Sequence, residues 1–305
     1  MLRFGLCCIF NEAPIRFRRT TAKSLLNLER SSQLARLNEL CLHNAGSLLA
    51  ALVETHRLGF GAFRILSQLF PLFTHPLVGY RLEDLPDGKQ ITGLLVKAGE
   101  FARSRNLRLS FHPDQFVLLS APKPEVLQAS IAELEYQTRV AELVGADVIN
   151  IHGGGAYGDK RAALSRIVKV FPRLPPALQQ RLTLENDDRL FTVSDLLPIC
   201  RELRVPLIFD VHHHRCNGDG LSVAEATERT VQTWHGTGRE PYFHLSSPRH
   251  GWGSSDPRVH ADYIDPADFP EPWRSLTATV DIEAKAKELA VSRLLQDLDL
   301  TTWNR

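Results

Sequence analysis

Histidines and acids recur along this 305-residue chain, and they fall again and again directly after a short apolar run. His112 follows residues 107–111, His152 follows 148–151, and Glu185 follows 182–184. Asp210 closes the run 205–209 with His213 three residues on, His244 lies inside 242–245, and Glu283 follows 278–282. His75, in F-T-H-P, and His260 add two more imidazoles from intervening segments. A lone histidine after a strand is more often a hydrogen-bonded structural residue than a ligand. A recurring set of imidazoles and carboxylates is different, because buried acids are costly unless paired or bound to a cation. Glu185, Asp210 and Glu283 converging in a dry site would repel one another, and divalent cations remove that difficulty. Imidazole with carboxylate suits manganese or zinc, with magnesium as a further option. The nine candidates, His75, His112, His152, Glu185, Asp210, His213, His244, His260 and Glu283, exceed what one ion takes. The expectation is therefore a cluster of roughly two or three divalent ions. Such a cluster acidifies a water and stabilises the attacking and leaving oxygens of a phosphodiester cleavage. No nucleophile elbow or cysteine–histidine pair stands against that chemistry.

The elements that must position these residues alternate along the chain. The strand candidates 4–8, 61–65, 107–111, 148–151, 182–184, 207–209, 242–245 and 278–282 are separated by helical patterns at 22–57, 90–105, 125–144, 160–171, 193–203 and 222–234. Leu34, Leu37, Leu40, Leu48 and Leu52 show the spacing of three and four within the first helical region. Eight β/α units predict an α/β fold of the (β/α)8 TIM-barrel type, in which functional side chains stand at the C-terminal ends of the strands. A doubly wound sheet would want G-x-G-x-x-G after the first strand, which is missing. Gly153-Gly154-Gly155 lacks a following lysine–serine pair and reads as a tight βα turn. No linker or composition break divides the chain, so residues 1–305 read as one domain with a short helical tail from about residue 284.

Composition narrows the class further. The chain is 43% hydrophobic and 23% charged with a net charge of +1, and no apolar run approaches a membrane span. The start M-L-R-F-G-L-C-C-I-F reads as a buried strand, not a signal peptide. Cys7, Cys8, Cys41, Cys200 and Cys216 form no C-x-x-C pair, which points to a reducing cytoplasmic setting without a disulfide framework. Basic clusters at Arg16, Arg18 and Arg19 and at Lys160 and Arg161 read equally as nucleic-acid contacts or as solvated loops.

Six strings in order carry a resemblance: F-R-I-L-S-Q-L-F-P-L-F-T-H-P (63–76), S-F-H-P-D-Q-F (110–116), I-H-G-G-G-A-Y-G (151–158), L-E-N-D-D-R-L (184–190), D-V-H-H-H (210–214) and I-E-A-K-A-K-E (282–288). Over roughly residues 1–290 the chain resembles the ultraviolet-damage endonuclease family, itself similar in fold to the trimetal apurinic-site endonucleases and to sugar isomerase barrels. The resemblance implies a monomeric, divalent-metal endonuclease, manganese being favoured, that nicks damaged double-stranded DNA immediately 5′ of ultraviolet photoproducts. It implies that all nine candidates above are ligands and that Glu185, Asp210 and Glu283 form the catalytic core, Glu185 bridging two ions. Asp210, His244 and Glu283 would hold the second ion, and His213 and His260 a third. The family's D-x-x-H spacing selects His213 from the triplet, leaving His214 as a supporting neighbour and His212 as packing or solvent-facing. Gln115 and Phe116 match the lesion-probing pair, and Asn11 matches a DNA-contacting asparagine. Two positions depart from the family pattern: Phe116 stands where members carry a tyrosine, and Tyr242 where they carry a lysine. Phe116 keeps the stacking face and loses the hydroxyl. Tyr242 puts the coordination of one ion in question. A sugar isomerase or epimerase on a similar barrel is the alternative, and it would need a small closed pocket instead of an open groove. Lys285 and Lys287, beside Glu283, either touch phosphate or cover a helix surface.

Overall fold

The computed structural model describes residues 1–299. Eight strands, β1 (Leu2–Cys7), β2 (Ala62–Ile65), β3 (Arg108–Phe111), β4 (Val148–His152), β5 (Leu182–Glu185), β6 (Leu207–Asp210), β7 (Tyr242–Leu245) and β8 (Ala278–Ile282), pair in parallel and in chain order into a closed barrel. The helices are α1 (Lys23–Leu26), α2 (Arg30–Arg57), α3 (Gly88–Ser104), α4 (Pro124–Val144), α5 (Lys160–Val170), α6 (Pro176–Gln179), α7 (Val193–Leu203), α8 (Val211–Cys216), α9 (Val223–Trp234) and α10 (Glu288–Asp297). Among the described residues no helix is long and apolar enough to cross a membrane. The expected strands and long helices are present with small shifts at their ends. The short α8 is the element that periodicity could not show.

Strand side chains alternate between two environments. Phe63, Leu109, Phe111, Ile149, Ile151, Leu184, Phe209, Phe243, Leu245, Val280 and Ile282 point outward into the apolar layer beneath the helices. The inward positions are largely polar, whereas barrels of this type are ordinarily filled by Val, Ile and Leu. Near the N-terminal end, Arg3 pairs with Glu240 at 2.7 Å and Arg108 with Asp147 at 2.9 Å. Above them Tyr242 donates to Asp281 Oδ1 at 2.9 Å, with Ser110 Oγ 3.0 Å from the phenol oxygen. Val148, Ile208, Trp234 and Tyr242 form a separate small apolar cluster. Gly5 makes room for this layer, because a Cβ there would lie 2.0 Å from Asp281 Oδ1.

Candidate metal centre

The top layer of the barrel collects the residues singled out by position. Register does much of this: His152 lies opposite Glu185 on the neighbouring strand, and Asp210 lies opposite His244. Three sets of potential ligand atoms each fall within 4.8 Å of one another: His112, His152 and Glu185; His112, His244 and Glu283; and Glu185, Asp210 and His213. The shared members make this one continuous cluster. Glu185, fully buried, is its hub: Oε2 is 3.0 Å from His112 Nε2, and Oε1 is 3.1 Å from His244 Nδ1 and 3.4 Å from His213 Nδ1. Asn150 Nδ2 donates to Glu185 Oε2 and is itself oriented by Thr183.

Asp210 has two tasks. Its Oδ1 accepts the His213 N–H at 2.8 Å and so caps α8. Its Oδ2 is buried with no hydrogen-bond partner, as are Nδ1 of His112 and His152. The nearest positive group to Oδ2 is the His213 ring, with Nδ1 at 3.5 Å; a buried carboxylate oxygen without a hydrogen bond is costly, and a metal cation beside it would remove the cost. Asn186 clamps the Asp210 backbone from both sides, and its own carbonyl lies 3.0 Å from His213 Nδ1. The same nitrogen lies 3.4 Å from Glu185 Oε1 and 3.5 Å from Asp210 Oδ2, so the Asn186 carbonyl and the two acids together orient the ring.

Electrostatics follow the same geometry. Burial alone would raise the Glu185 carboxyl, but His244, His152 and His112 outweigh it and hold it well below the ordinary range. Burial would lower His213, and Asp210 together with Glu185 instead pushes it well above the usual imidazole value. Burial keeps His152 below that value, hence neutral and ready to ligate. For Glu283 burial is outweighed by Arg64, His244 and His260, so the group stays well below the carboxylate range.

Arg64 was not among the expected residues. From β2 its guanidinium donates to Asp281 at 2.9 Å, Glu283 at 2.6 Å and His244 Nε2 at 2.9 Å. It is a permanent cation under the Glu283 corner. In sequence it is one arginine in an apolar run, and only its inward parity on β2 could have hinted at it. Tyr242 sits one layer down, donating to Asp281, and burial pushes its phenol well above the ordinary value. It therefore remains neutral.

The outer members divide. His260 is carried by the hairpin-like pairing of Pro248 with His260, which brings its Nδ1 to 3.8 Å from Glu283 Oε2 and its ring to 6.4 Å from that of His213. His75 belongs to none of the three sets: its Nδ1 accepts from the N–H groups of Leu77 and Val78 at 3.2 and 3.3 Å, pinning its own turn. His212 is buried between the rings of Trp252 and His260, each 5.1 Å away, so it packs and does not face solvent. His214 supports no acid of the cluster; it bonds the Leu221 carbonyl at 3.0 Å and ties down the loop before α9.

At the rim, Phe116 is 73% exposed at the tip of the β3 loop, beside exposed Gln115, while Val117 and Leu119 are buried. Asn11 is exposed on the β1 loop, where Glu288 accepts its backbone N–H at 2.8 Å and its side chain donates to the Lys285 carbonyl at 3.1 Å. The basic clusters are partly consumed. Arg16 donates to the Ala13 and Ile15 carbonyls, and Lys160 pairs with Asp195 at 2.9 Å.

A closed barrel whose strand ends converge acids and imidazoles on one cluster defines a (β/α)8 protein with metal-ligand chemistry at its mouth. The chain belongs to the family described as UV-endonuclease UvdE, whose profile matches residues 2–304. A UV DNA damage endonuclease of Bacillus cereus (strain G9842) is 35% identical over 245 residues, covering 77% of this chain and 74% of the relative. That of Bacillus velezensis (strain DSM 23117) is 33% identical and covers 98% of this chain and 94% of the relative. The crystal structure of SacUVDE superposes with a TM-score of 0.86 at 26% identity, covering 99% of this chain and all of the other.

Proposed function

We propose that the protein is a DNA-repair endonuclease, dependent on divalent metal, that nicks the backbone immediately 5′ of ultraviolet photoproducts such as cyclobutane dimers and 6-4 products in duplex DNA. Membership of the UV-endonuclease family supports a DNA endonuclease acting on ultraviolet damage. One observation carries the metal part of the reading: Asp210 Oδ2, buried without a hydrogen bond and 3.5 Å from His213 Nδ1, belongs to a cluster in which Glu185 is ringed by His112, His152, His213 and His244. Those residues fit a metal. His112, His152 and Glu185 would hold one ion, Glu185 bridging to a second at Asp210, His244 and Glu283, with His213 and His260 serving a third. His75 is not assigned to an ion, since its Nδ1 is committed to the turn. The mixed imidazole–carboxylate set favours manganese, with zinc or magnesium able to substitute. Divalent cations held there supply Lewis-acid polarisation of a phosphodiester and an acidified water.

The protein's own groups do the rest. Arg64 holds Glu283 and His244 in place, Asn150 fixes one oxygen of Glu185, and the Asn186 carbonyl orients the His213 ring. A photoproduct weakens local stacking, so opening the duplex there costs less than elsewhere. Phe116, an apolar ring left in water, fills the opened step as a wedge, with Gln115 beside it and Asn11 contacting the strand across the mouth. The protein works as a monomer and as a single domain, in the cytoplasm. A plasmid assay tests this: irradiated supercoiled DNA is nicked with manganese, magnesium or zinc and not after chelation, and untreated plasmid stays intact. Absence of any irradiation-dependent nick with all three cations would sink the proposal.

A further inference from the structure

Among the described residues, every exposed Phe, Tyr or Trp stands on a loop at the C-terminal end of a strand: Phe116 after β3, Tyr157 after β4, and Trp252 and Tyr263 after β7. Elsewhere among the described residues no Phe, Tyr or Trp is exposed. Trp252 is bound to Asp268 at 2.7 Å and covers His212, and Tyr263 lies against Arg293 with 5.0 Å between guanidinium and ring centre. Tyr157 differs from both. Its ring is 49% exposed, and its backbone is left-handed at φ +51°, followed by Gly158 at φ +84°. A bulky L side chain rarely adopts that conformation, and such outliers persist where the surroundings over-determine them.

The surroundings here are specific. Gly155 leaves the space the ring uses: a Cβ on it would lie 2.9 Å from the Tyr157 ring. Arg166 sits behind, 5.6 Å from the ring centre, and its Nε donates to the Ser120 carbonyl at 2.6 Å. Ser120 Oγ in turn donates to the Gly155 carbonyl at 3.3 Å, and Gly154 packs against Ser120 and Leu118. The loop that carries Gln115 and Phe116 and the loop that carries Tyr157 are therefore one braced unit. A ring needed only for packing would be buried, and an asparagine or glycine would relieve the backbone. Instead the left-handed backbone carries a half-exposed tyrosine on a loop braced to that of Phe116.

We propose that Tyr157 is a second nucleobase-stacking residue, receiving an unpaired base of DNA opened at the lesion while Phe116 fills the gap. The assignment rests on the endonuclease reading above. Stacking of a base on an aromatic face is tolerant of sequence and independent of salt, unlike a phosphate contact. Binding of irradiated and untreated duplex is measured by fluorescence anisotropy over a salt series for wild type, Tyr157→Phe and Tyr157→Asn, with melting temperatures alongside. Asparagine tolerates the left-handed backbone, and Tyr157→Gly gives the same comparison with the strain removed altogether. The expected result is an affinity for irradiated duplex about tenfold weaker for Tyr157→Asn and Tyr157→Gly. Tyr157→Phe stays within about twofold of wild type, since the π-face is retained. The slope of affinity against salt stays the same in all four proteins. Wild-type affinity in Tyr157→Asn with only a lowered melting temperature would make the ring structural and overturn the proposal. An equal loss of affinity in Tyr157→Phe would make the contact one of the hydroxyl, not of the ring face, and overturn it equally. If wild type neither prefers nor nicks irradiated DNA, the endonuclease reading falls and takes this with it; if wild type does both, only the stacking assignment is at stake.

Discussion

Replacing Arg64 by methionine removes one guanidinium and leaves three groups without their donor. Asp281 is fully buried and loses a contact of 2.9 Å, Glu283 loses one of 2.6 Å, and His244 Nε2 loses one of 2.9 Å. Methionine keeps the unbranched bulk, so the change is mainly electrostatic. Breaking a buried ion pair by removing one partner typically costs about 3–5 kcal/mol, because the other charge stays buried. For a single domain this corresponds to a fall in melting temperature on the order of 10 °C. The pH dependence has a definite sign. Arg64 is the largest favourable influence on Glu283 after its burial is overcome, and holds it well below the ordinary carboxylate value. A depressed carboxyl contributes stability that is present above its unfolded pKa and lost as pH falls through its folded pKa. The deficit of Arg64→Met is therefore largest at neutral pH and shrinks in acid, where Glu283 in the variant takes up a proton. Denaturant titrations of chelator-stripped wild type and variant, repeated at neutral and acidic pH, measure this. Equal stability at neutral pH, or a gap that widens in acid, would refute the reasoning.

Other outcomes follow from the same geometry. Glu185→Gln is isosteric but cannot serve as an anionic hub, so incision is lost while binding of irradiated duplex is retained in anisotropy; wild-type turnover would refute the bridging role. Phe116→Ala weakens affinity for irradiated duplex by about tenfold and for untreated duplex much less, with metal uptake unchanged; equal losses on both duplexes would remove the wedge. Gly5→Ala forces a methyl against Asp281 Oδ1 and lowers stability by about 1–3 kcal/mol, read by denaturation.

Strand ends were legible because strands that feed a closed barrel are short, apolar and followed by their functional residue. The β7 segment Y-F-H-L and the β8 segment A-T-V-D-I already show the alternation that turns Phe243, Leu245, Val280 and Ile282 outward. The same alternation could have been pushed further, to the inward Arg64, Tyr242 and Asp281, but a polar barrel interior runs against the usual filling and gives no local signal. The arrangement of the triplet 212–214 depends on α8, a helix of six residues that begins at the strand end and is capped by Asp210 itself. Once the helix is known, the separation of His213 towards Glu185, His212 towards Trp252 and His214 towards Leu221 follows from the rotation per residue. His75 is counted among the candidate ligands from its place after the second strand as well as on resemblance, and the turn around it shows another use for its Nδ1. Arg16 shows the converse: a charge that sequence reads equally as a nucleic-acid contact or a solvated loop residue is spent on the carbonyls of its own loop.

Titration of manganese into chelator-stripped protein, followed by calorimetry with buffers of different ionisation enthalpy, tests the centre most directly. Uptake of more than one equivalent and release of protons on binding are expected, because Asp210 and Glu185 hold His213 above the usual imidazole value and it must give up its proton. Apparent affinity then rises with pH beyond the usual imidazole range, because the raised His213 proton is displaced at higher pH, and it collapses in Glu185→Gln. No uptake, or uptake that Glu185→Gln leaves untouched, would contradict the assignment of this cluster as the metal centre.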